Sequence, residues 1–519
     1  MNVAILNVGV VRARVVSAAA VLAVVALAPI VLSLPFFTEP MEQDEAMYFS
    51  MALSGHLPYV EVFDHKPPVI YGWYALSLMF TGGDPSIEAV RVLAALQLSA
   101  AALAVVWVGY LLSGWKLGLI AGLFAGVATS NQFLQFNANT ETFMLLPTVL
   151  ALGTFLVGLR RRDARWFLLS GALVALATLT KTVGALNLAA LLGVLLWSGA
   201  MGQVSREAVK RWALSLTAGA AIVASLAVAP FVISGHFSEF WYANVMYNIS
   251  YSNIISPLAK VYGFAHVDAH VLAGGLFMWV MAGAGAVLIL AKGLRTEHAA
   301  LLAGASAVFL GASLTGQEFP HYWVPMVPFA ALLAGVAVIG VTENWTSLRH
   351  RLHVEVLFYI LALTTFIAVL PLYTASVEQA HLKKYGYSVS AKRDLGDQVV
   401  AAHIASITKP DDRIFNLGVD AQLYVLSDRR PASYFTRPLA AALVDTSTFD
   451  ETLEALYVDP PALIVDTSYV ALEELGYTNV SGGSYNMDEG QRLRFEQFLE
   501  GSYLLHDKVE HAVIYVLKP

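Results

Sequence analysis

Two adjacent carboxylates, Asp44 and Glu45, lie close behind the first long apolar run, on a stretch with a helical pattern. On a helix Asp44 and Tyr48 share one face at i,i+4 spacing, whereas Glu45 is rotated by about 100°. One carboxylate can therefore face a cavity while the other caps the helix or pairs with a cation. A partly desolvated carboxylate is more basic, which suits a general base that takes a proton from an attacking hydroxyl or amine. The alternative is an acidic pair that only stabilises the start of a surface helix.

A lysine at a rigid corner follows in the same loop. Lys66 stands directly before Pro67 and Pro68, which remove backbone donors and fix φ, so the corner is not helical. A lysine near the membrane interface is a point charge that can bind a phosphate, and the alternative is a side chain that snorkels to the headgroups. Lys181 lies at the end of an apolar stretch, where snorkelling is the stronger alternative.

Other polar and aromatic residues collect in loops on the same side. His65, Glu141 and His321 have the side chains to bind a divalent cation, although their spacing is not that of a local metal motif. The loop 235–270 is rich in aromatic residues and includes Tyr247. Such a loop can stack on a sugar or line a lipid groove, or it can form the aromatic belt common to membrane proteins.

Composition places these residues in a membrane protein. The chain has 519 residues, of which 57% are hydrophobic and 13% charged, whereas soluble domains average about 25% charged residues. The net charge of −7 is unlike the basic surface that nucleic acid requires. The absence of cysteine from the sequence excludes disulfides, thiolate metal sites and a cysteine nucleophile.

Apolar stretches of spanning length predict an α-helical membrane protein with about eleven transmembrane helices. The first is interpreted as a retained span, because it is long enough to cross and no clear cleavage site follows it. The stretch 67–81 is too short and predicts a half-buried helix near the membrane surface. The predicted spans are 14–36, 88–112, 116–132, 140–159, 166–181, 183–200, 212–234, 271–291, 298–315, 322–341 and 354–374.

The distribution of basic residues orients these spans. With eleven spans, one set of loops before residue 375 holds 14 basic residues and the other set holds only four, Lys66, Arg91, Lys181 and Lys260. The positive-inside rule therefore predicts a cytoplasmic N-terminus in the plasma (inner) membrane, and an extracytoplasmic C-terminus.

Residues 375–519 differ from the rest of the chain, because charge rises and apolar runs shorten to strand length. Short apolar runs predict strands at 414–417, 462–465 and 512–517, and amphipathic patterns predict helices at 448–457 and 489–499. We therefore predict a transmembrane catalytic domain over 1–374 and a small extracytoplasmic α/β domain over 375–519.

Together these elements resemble a known family. The Asp44-Glu45 pair after the first span, followed by His65-Lys66-Pro67-Pro68, resembles the GT-C glycosyltransferases. It is most similar to the protein O-mannosyltransferases and the lipid A aminoarabinose transferases. The segments 139–141 (NTE) and 319–322 (FPHY) are similar to those of bacterial members, and the resemblance covers roughly residues 30–340.

The resemblance implies a GT-C-like fold and transfer of a sugar from a polyprenyl-monophosphate donor at the extracytoplasmic face. The acceptor would be a protein, a lipid or a glycan, and a divalent cation is the one cofactor that it leaves open. Some members have Glu, a metal ligand, where this chain has His65. The roles implied by match are catalytic for Asp44, donor phosphate-binding for Lys66 and metal-binding for His65 and His321. We also predict a catalytic role for Glu45 and donor phosphate binding by Lys181. The predicted substrate-binding residues are Tyr48, Asn139, Glu141, Tyr247 and Tyr322.

Two other functions remain open at this stage. A transporter or flippase for lipid-linked sugars would place ionisable residues at mid-span, whereas here the span interiors are nearly free of charge. An oligosaccharyltransferase or ligase that uses a pyrophosphate donor would need a firmer metal site and a larger acceptor groove. A non-catalytic scaffold is disfavoured by the concentration of polar residues on one side.

Overall fold

A computed structural model describes residues 2–129, 134–256, 271, 275–314, 319–343, 370–385, 388–468 and 487–519. Its contacts divide the chain into two compact units. The membrane unit comprises Met1–Phe37, Arg91–Ala227 and Pro257–Ala375. The loop unit comprises Thr38–Val90, Val228–Ser256 and Ser376–Pro519. The division of the chain at residue 374/375 stays a prediction, and the C-terminal segment packs with two earlier segments of the chain.

Helices dominate the chain up to residue 343. In chain order they are α1 (Asn2–Ser33), α2 (Gln43–Leu53), α3 (Val69–Thr81), α4 (Ile87–Ser113), α5 (Trp115–Ala128), α6 (Thr140–Arg161), α7 (Ala164–Thr178), α8 (Ala185–Ala200), α9 (Arg206–Ser234), α10 (Phe237–Trp241), α11 (Tyr247–Asn253), α12 (Leu276–Ala291), α13 (Thr296–Ser313) and α14 (Val327–Glu343).

Six helical segments in the described part of the chain are long and apolar enough to cross a membrane, and four shorter helices are also apolar. The six are Ala18–Phe36, Ile87–Ser113, Thr140–Arg161, Thr182–Ala200, Arg206–Ser234 and Pro320–Val341. They coincide with predicted spans, so the prediction of a polytopic helical protein is confirmed. The total of eleven stays a prediction, because most of the stretch 354–374 lies outside the described residues. The helix predicted near 67–81 is α3.

Close helix packing in the membrane unit depends on glycine. A Cβ added to Gly171 of α7 would collide with the backbone oxygen of Leu216, and one added to Gly219 of α9 would collide with that of Leu168. The two helices therefore touch backbone to backbone, as small residues allow in membranes. An alanine at either position would force α7 and α9 apart.

The C-terminal segment forms a five-stranded sheet covered by helices. The strands are β1 (Arg413–Asn416), β2 (Arg430–Pro431), β3 (Leu463–Asp466), β4 (Tyr503–Val509) and β5 (Ala512–Leu517), in the order β2-β1-β3-β5-β4. β1 is parallel to β2 and β3, whereas β5 is antiparallel to β3 and β4. The helices are α15 (Val377–Lys384), α16 (Val389–Asp394), α17 (Asp397–Ile407), α18 (Gln422–Ser427), α19 (Pro438–Val444), α20 (Ser447–Val458) and α21 (Glu489–Ser502).

The central strands of this sheet are buried on both faces. Ile414 packs in one apolar core, with Val400 and Ile404, whereas the next residue, Phe415, packs in the other, with Phe449. β1 and β3 pair in parallel and are covered on both faces, so each has a nearly continuous apolar sequence. β5 is antiparallel to its neighbours but is also an apolar run, and all three strands were predicted correctly. The α/β class of this segment is confirmed, as are the helices at 447–458 and 489–502.

Within the loop unit, a buried ion pair joins the segment between α1 and α2 to the C-terminal segment. The Nζ atom of Lys384 lies 2.7 Å from a carboxylate oxygen of Glu39, and both side chains are fully buried. His381, one turn earlier in α15, lies 3.9 Å from the same oxygen. These contacts fix the chain just before α2, the helix that carries Asp44.

Candidate active site

A capping box at the start of α2 gives Asp44 and Glu45 different surroundings. The N-cap residue Glu42 accepts a hydrogen bond from the backbone N–H of Asp44 at 3.1 Å. Glu45, which is fully buried, accepts one from the backbone N–H of Glu42 at 3.0 Å. Asp44 points elsewhere, and the hydroxyl of Tyr48 donates to it at 3.5 Å. Glu45 thus closes the helix end, while Asp44 keeps a partly exposed carboxylate.

The corner that carries Lys66 is fixed through its backbone. The hydroxyls of Tyr59 and Tyr71 donate to the carbonyl oxygen of Lys66 at 2.6 and 2.9 Å. The lysine side chain extends from this corner, and its Nζ atom lies 3.6 Å from Oδ2 of Asp44. The structure therefore brings together the carboxylate and the cation that the sequence singled out in this loop.

A second cation reaches the same carboxylate from the C-terminal segment. The Nη1 atom of Arg437 donates to Oδ1 of Asp44 at 3.2 Å, across 393 positions in sequence. The side chains of Asp44, Lys66 and Arg437 are 26%, 12% and 18% exposed, so the cluster borders solvent-accessible space. We call these three residues the Asp44 cluster. Arg437 was missed in the sequence, where it belongs to no motif.

Burial and charge set the protonation states around the Asp44 cluster. Burial would raise the pKa of Asp64, but its hydrogen bond with His65 and the charges of His65, Lys66 and Arg437 lower it overall. Burial and the Lys66 ammonium lower the pKa of His65. Burial, followed by the carboxylate of Asp44, raises the pKa of Glu42 from 4.5 to about 8.

His65 lies among polar and aromatic neighbours in the loop unit. Its Nε2 atom is 3.1 Å from Nζ of Lys66, and its Nδ1 atom is 3.4 Å from a carboxylate oxygen of Asp64. The rings of Tyr247 and Tyr251 lie 5.3 and 5.5 Å from the imidazole, centroid to centroid. The predicted substrate residue Tyr247 is thus close to the Lys66 corner.

The surroundings of His65 bear on the predicted metal site. Among the residues that the structure describes, there is no group of three or more His, Asp or Glu side chains that could hold a metal ion. A lysine ammonium beside the imidazole of His65 also makes that ring a poor cation ligand. The described residues therefore do not fit a bound metal, and the mechanism below has no step through one.

A second polar cluster lies in the membrane unit, at the start of α6. The side chain of Asn139 caps this helix by accepting from the backbone N–H of Thr142 at 3.2 Å. Glu141 is buried and forms an ion pair with Lys181. The ammonium of Lys181 also lies 3.7 Å from the ring centroid of Tyr322. We call Glu141, Lys181 and Tyr322 the Glu141 cluster.

A small pocket adjoins the Glu141 cluster, lined also by Met144, Val183, Asn187, Val308, Gly311, Ala312 and Pro325. The ring of His321 stacks on Phe319 with centroids 5.6 Å apart and meets Tyr322 edge-on at 5.0 Å. The predicted site residues thus fall into two groups. Asp44, Glu45, Tyr48, His65, Lys66 and Tyr247 belong to the loop unit, whereas Asn139, Glu141, Lys181, His321 and Tyr322 belong to the membrane unit.

The chain resembles a class of membrane proteins, the GT-C glycosyltransferases, in part of its sequence and in its fold. Residues 65–233 match the family model described as dolichyl-phosphate-mannose-protein mannosyltransferase. No curated protein matches the chain in sequence. The resemblance to polyprenyl-phosphate-dependent GT-C enzymes that the sequence suggested is confirmed by this match and by the solved structures below.

Two solved structures share the fold over most of the chain. The crystal structure of ArnT from Cupriavidus metallidurans bound to undecaprenyl phosphate is 17% identical, with a TM-score of 0.55, and the match covers 97% of this chain and 98% of that one. The archaeal oligosaccharyltransferase AglB from Archaeoglobus fulgidus, in complex with an inhibitory peptide and a dolichol-phosphate, is 13% identical, with a TM-score of 0.58. That match covers 86% of this chain and 69% of AglB. The chain is therefore a multi-pass membrane protein of GT-C fold.

Proposed function

We propose that this protein is a membrane glycosyltransferase that moves a sugar from a polyprenyl-monophosphate donor to an acceptor at the extracytoplasmic face. In this proposal Asp44 is the general base and Lys66 binds the donor phosphate. The observation that carries the proposal is the 3.6 Å separation of the Asp44 carboxylate and the Lys66 ammonium in a partly exposed cluster. A base and a phosphate-binding cation are the two groups that this transfer requires.

The reaction needs few parts from the protein. An acceptor hydroxyl or amine attacks the anomeric carbon while the bond from that carbon to the phosphate oxygen breaks. The bonding electron pair leaves with the phosphate, and the acceptor proton passes to Asp44. The anomeric centre has oxocarbenium character as in other glycosyl transfers, and a single displacement inverts its configuration.

The charges of the cluster suit this reaction. Phosphate leaves as a stable anion, so a strong general acid is not required. The ammonium of Lys66 stabilises the charge that develops on the leaving oxygen. Its backbone carbonyl is held by Tyr59 and Tyr71, so the cation is positioned before the donor binds and little reorganisation is needed during reaction.

The orientation of the chain supports an extracytoplasmic reaction. The basic loops favour a cytoplasmic N-terminus, and Lys66 belongs to the loops of the opposite set. The related fold of ArnT was solved with undecaprenyl phosphate, a lipid of the class proposed here as donor carrier. Acceptors of three kinds, a protein, a lipid or a growing glycan, fit the proposal.

The other predicted residues have secondary roles in the proposal. Tyr48 and Tyr247 would contact the sugar or the acceptor near the Asp44 cluster. Asn139, Glu141 and Tyr322 stay predicted substrate-binding residues and Lys181 a predicted phosphate-binding residue, and the reaction proposed here has no step that depends on them. The ion pair of Lys181 with Glu141 neutralises much of the charge that such a role needs, so we place Lys66 first.

A second function is an oligosaccharyltransferase that uses a lipid-linked glycan, which the fold of AglB favours. The chemical form of the lipid-linked donor distinguishes the two functions. Lipids that copurify with the full-length protein should be identified by mass spectrometry, and the donor found should be incubated with candidate acceptors without nucleotide. We expect a sugar on a polyprenyl monophosphate and transfer without nucleotide. A pyrophosphate-linked glycan would support the second function, and vectorial movement of the lipid without any transfer would support a flippase.

A further inference from the structure

The C-terminal segment supplies a cation to the Asp44 cluster. We propose that Arg437 is a second ligand of the donor phosphate, and that Asp44 holds both Arg437 and Lys66 until the phosphate replaces it. This inference rests on the proposed function, because it assumes a phosphate-linked donor. It assigns a role in substrate binding to a segment whose function the sequence left open.

The contacts of Asp44 support this inference. Its two carboxylate oxygens are each directed toward a different cation, with Oδ1 at 3.2 Å from Nη1 of Arg437 and Oδ2 at 3.6 Å from Nζ of Lys66. A carboxylate occupied on both oxygens is a poor base. A phosphate that binds the two cations would release Asp44 to act on the acceptor, so donor binding would activate the base.

A short segment before Arg437 holds the arginine against α2 and the loop that follows α2. The hydroxyl of Thr436 donates to Sδ of Met47 in α2 at 3.1 Å. The backbone carbonyl of Tyr434 accepts a hydrogen bond from the N–H of Phe63 at 2.9 Å. The side-chain hydroxyl of Tyr434 donates to the backbone carbonyl of Tyr59 at 2.8 Å. The segment is thus bound to both sides of the loop that carries Lys66, which gives the guanidinium a defined position.

The chemistry of arginine suits a phosphate better than a single carboxylate. Its planar fork of donors matches two phosphate oxygens at once, whereas the contact with Asp44 uses one nitrogen, Nη1. The cluster holds two cations and one carboxylate, and its side chains are 12% to 26% exposed. The second carboxylate near the two cations, Asp64, is buried. Asp44 is therefore the carboxylate that an incoming phosphate would replace.

The experiment measures the affinity of the purified full-length protein for a polyprenyl monophosphate without sugar. The variants are Arg437→Ala, Arg437→Lys, Lys66→Ala and Asp44→Asn. Arg413→Ala is the matched control, because Arg413 lies in the same segment and pairs with another aspartate, Asp459, at 2.7 Å. The matching polyprenol and inorganic phosphate, tested separately, show whether the lipid or the phosphate group is recognised. Thermal unfolding verifies that each variant is folded.

We expect Arg437→Ala to weaken binding about tenfold or more and Arg437→Lys to weaken it less, since one charged hydrogen bond to phosphate is lost or retained. Asp44→Asn should strengthen binding severalfold, because the competing carboxylate is gone. Equal affinities for Arg437→Ala and Arg413→Ala, or weaker binding by Asp44→Asn, would overturn the inference. In that case, a loss of affinity for the polyprenyl monophosphate in Lys66→Ala would still support the proposed donor. If the folded wild-type protein does not bind the polyprenyl monophosphate, both the proposed donor and this inference are refuted.

Discussion

Among the predicted site residues, each unit of the protein has a lysine–carboxylate pair, and the two pairs differ in how closely they are enclosed. In the membrane unit Lys181 and Glu141 form a direct ion pair with side chains 11% and 3% exposed, and an aromatic ring lies against the ammonium. In the loop unit Lys66 and Asp44 are 3.6 Å apart and 12% and 26% exposed, with Arg437 as a second cation.

From this difference we propose that the enclosed pair is structural and that the more exposed pair binds substrate. A buried, tightly closed pair has compensated its desolvation, and removing one partner leaves an uncompensated charge. A loose, partly exposed pair contributes little to stability, and its cations can exchange the carboxylate for another anion. In the function proposed above, the Glu141 cluster holds α6 in place and the Asp44 cluster binds a phosphate.

The largest expected effect concerns stability. Lys181→Ala leaves the buried carboxylate of Glu141 without its cation, which we expect to lower the free energy of unfolding by about 3 kcal/mol. Lys66→Ala should cost no more than about 1 kcal/mol. Thermal or denaturant unfolding of both variants in one detergent checks the ranking. A larger loss of unfolding free energy in Lys66→Ala than in Lys181→Ala would contradict this ranking.

The second effect concerns donor affinity. Lys66→Ala should weaken binding of the lipid donor about tenfold, and should affect the acceptor less, because only the donor carries a phosphate. Lys181→Met keeps the apolar stem of the side chain, and we expect it to change donor affinity by less than about threefold. Equilibrium binding of each substrate to folded protein is the measurement. Equal losses for donor and acceptor in Lys66→Ala would contradict its phosphate role.

The smallest effect concerns the dependence of stability on pH. The pKa of Glu42 is raised from 4.5 to about 8, so the folded state binds a proton that the unfolded state releases. This contribution to stability is fully present below pH 4.5 and is lost as the pH rises to about 8. Glu42→Gln should therefore flatten the decline between pH 5 and 8.

The control for this prediction is Glu61→Gln, at an exposed position of the same loop. The thermal midpoints of both variants and of the wild type should be compared at pH 5 and pH 8. A decline in Glu42→Gln as steep as in the wild type would mean that Glu42 does not carry the proton.

Local patterns in the sequence predicted much of this molecule. The i,i+4 relation of Asp44 and Tyr48 and the rigid corner before Pro67 depend on neighbouring residues only, and both are present. The strands β1, β3 and β5 were predicted because they are buried and apolar. β2 has only two residues and β4 is largely exposed, so neither has the pattern of a buried strand.

Features that depend on distant contacts were not predictable in the same way. Arg437 lies 393 positions from Asp44 and has no local motif that marks it. The ion pair of Lys384 with Glu39 joins residues 345 apart. The packing of the C-terminal segment with the first loop arises from the tertiary fold, which a single sequence does not specify by pattern alone.

The most direct test of the account is the rate of sugar transfer by Asp44→Asn and by Glu141→Gln, measured with the same lipid donor and acceptor and corrected for the folded fraction. General base catalysis contributes about 10²-fold or more. We therefore predict that Asp44→Asn loses at least that factor while it still binds donor, and that Glu141→Gln retains most of its activity per folded molecule. Wild-type turnover by Asp44→Asn would contradict the account.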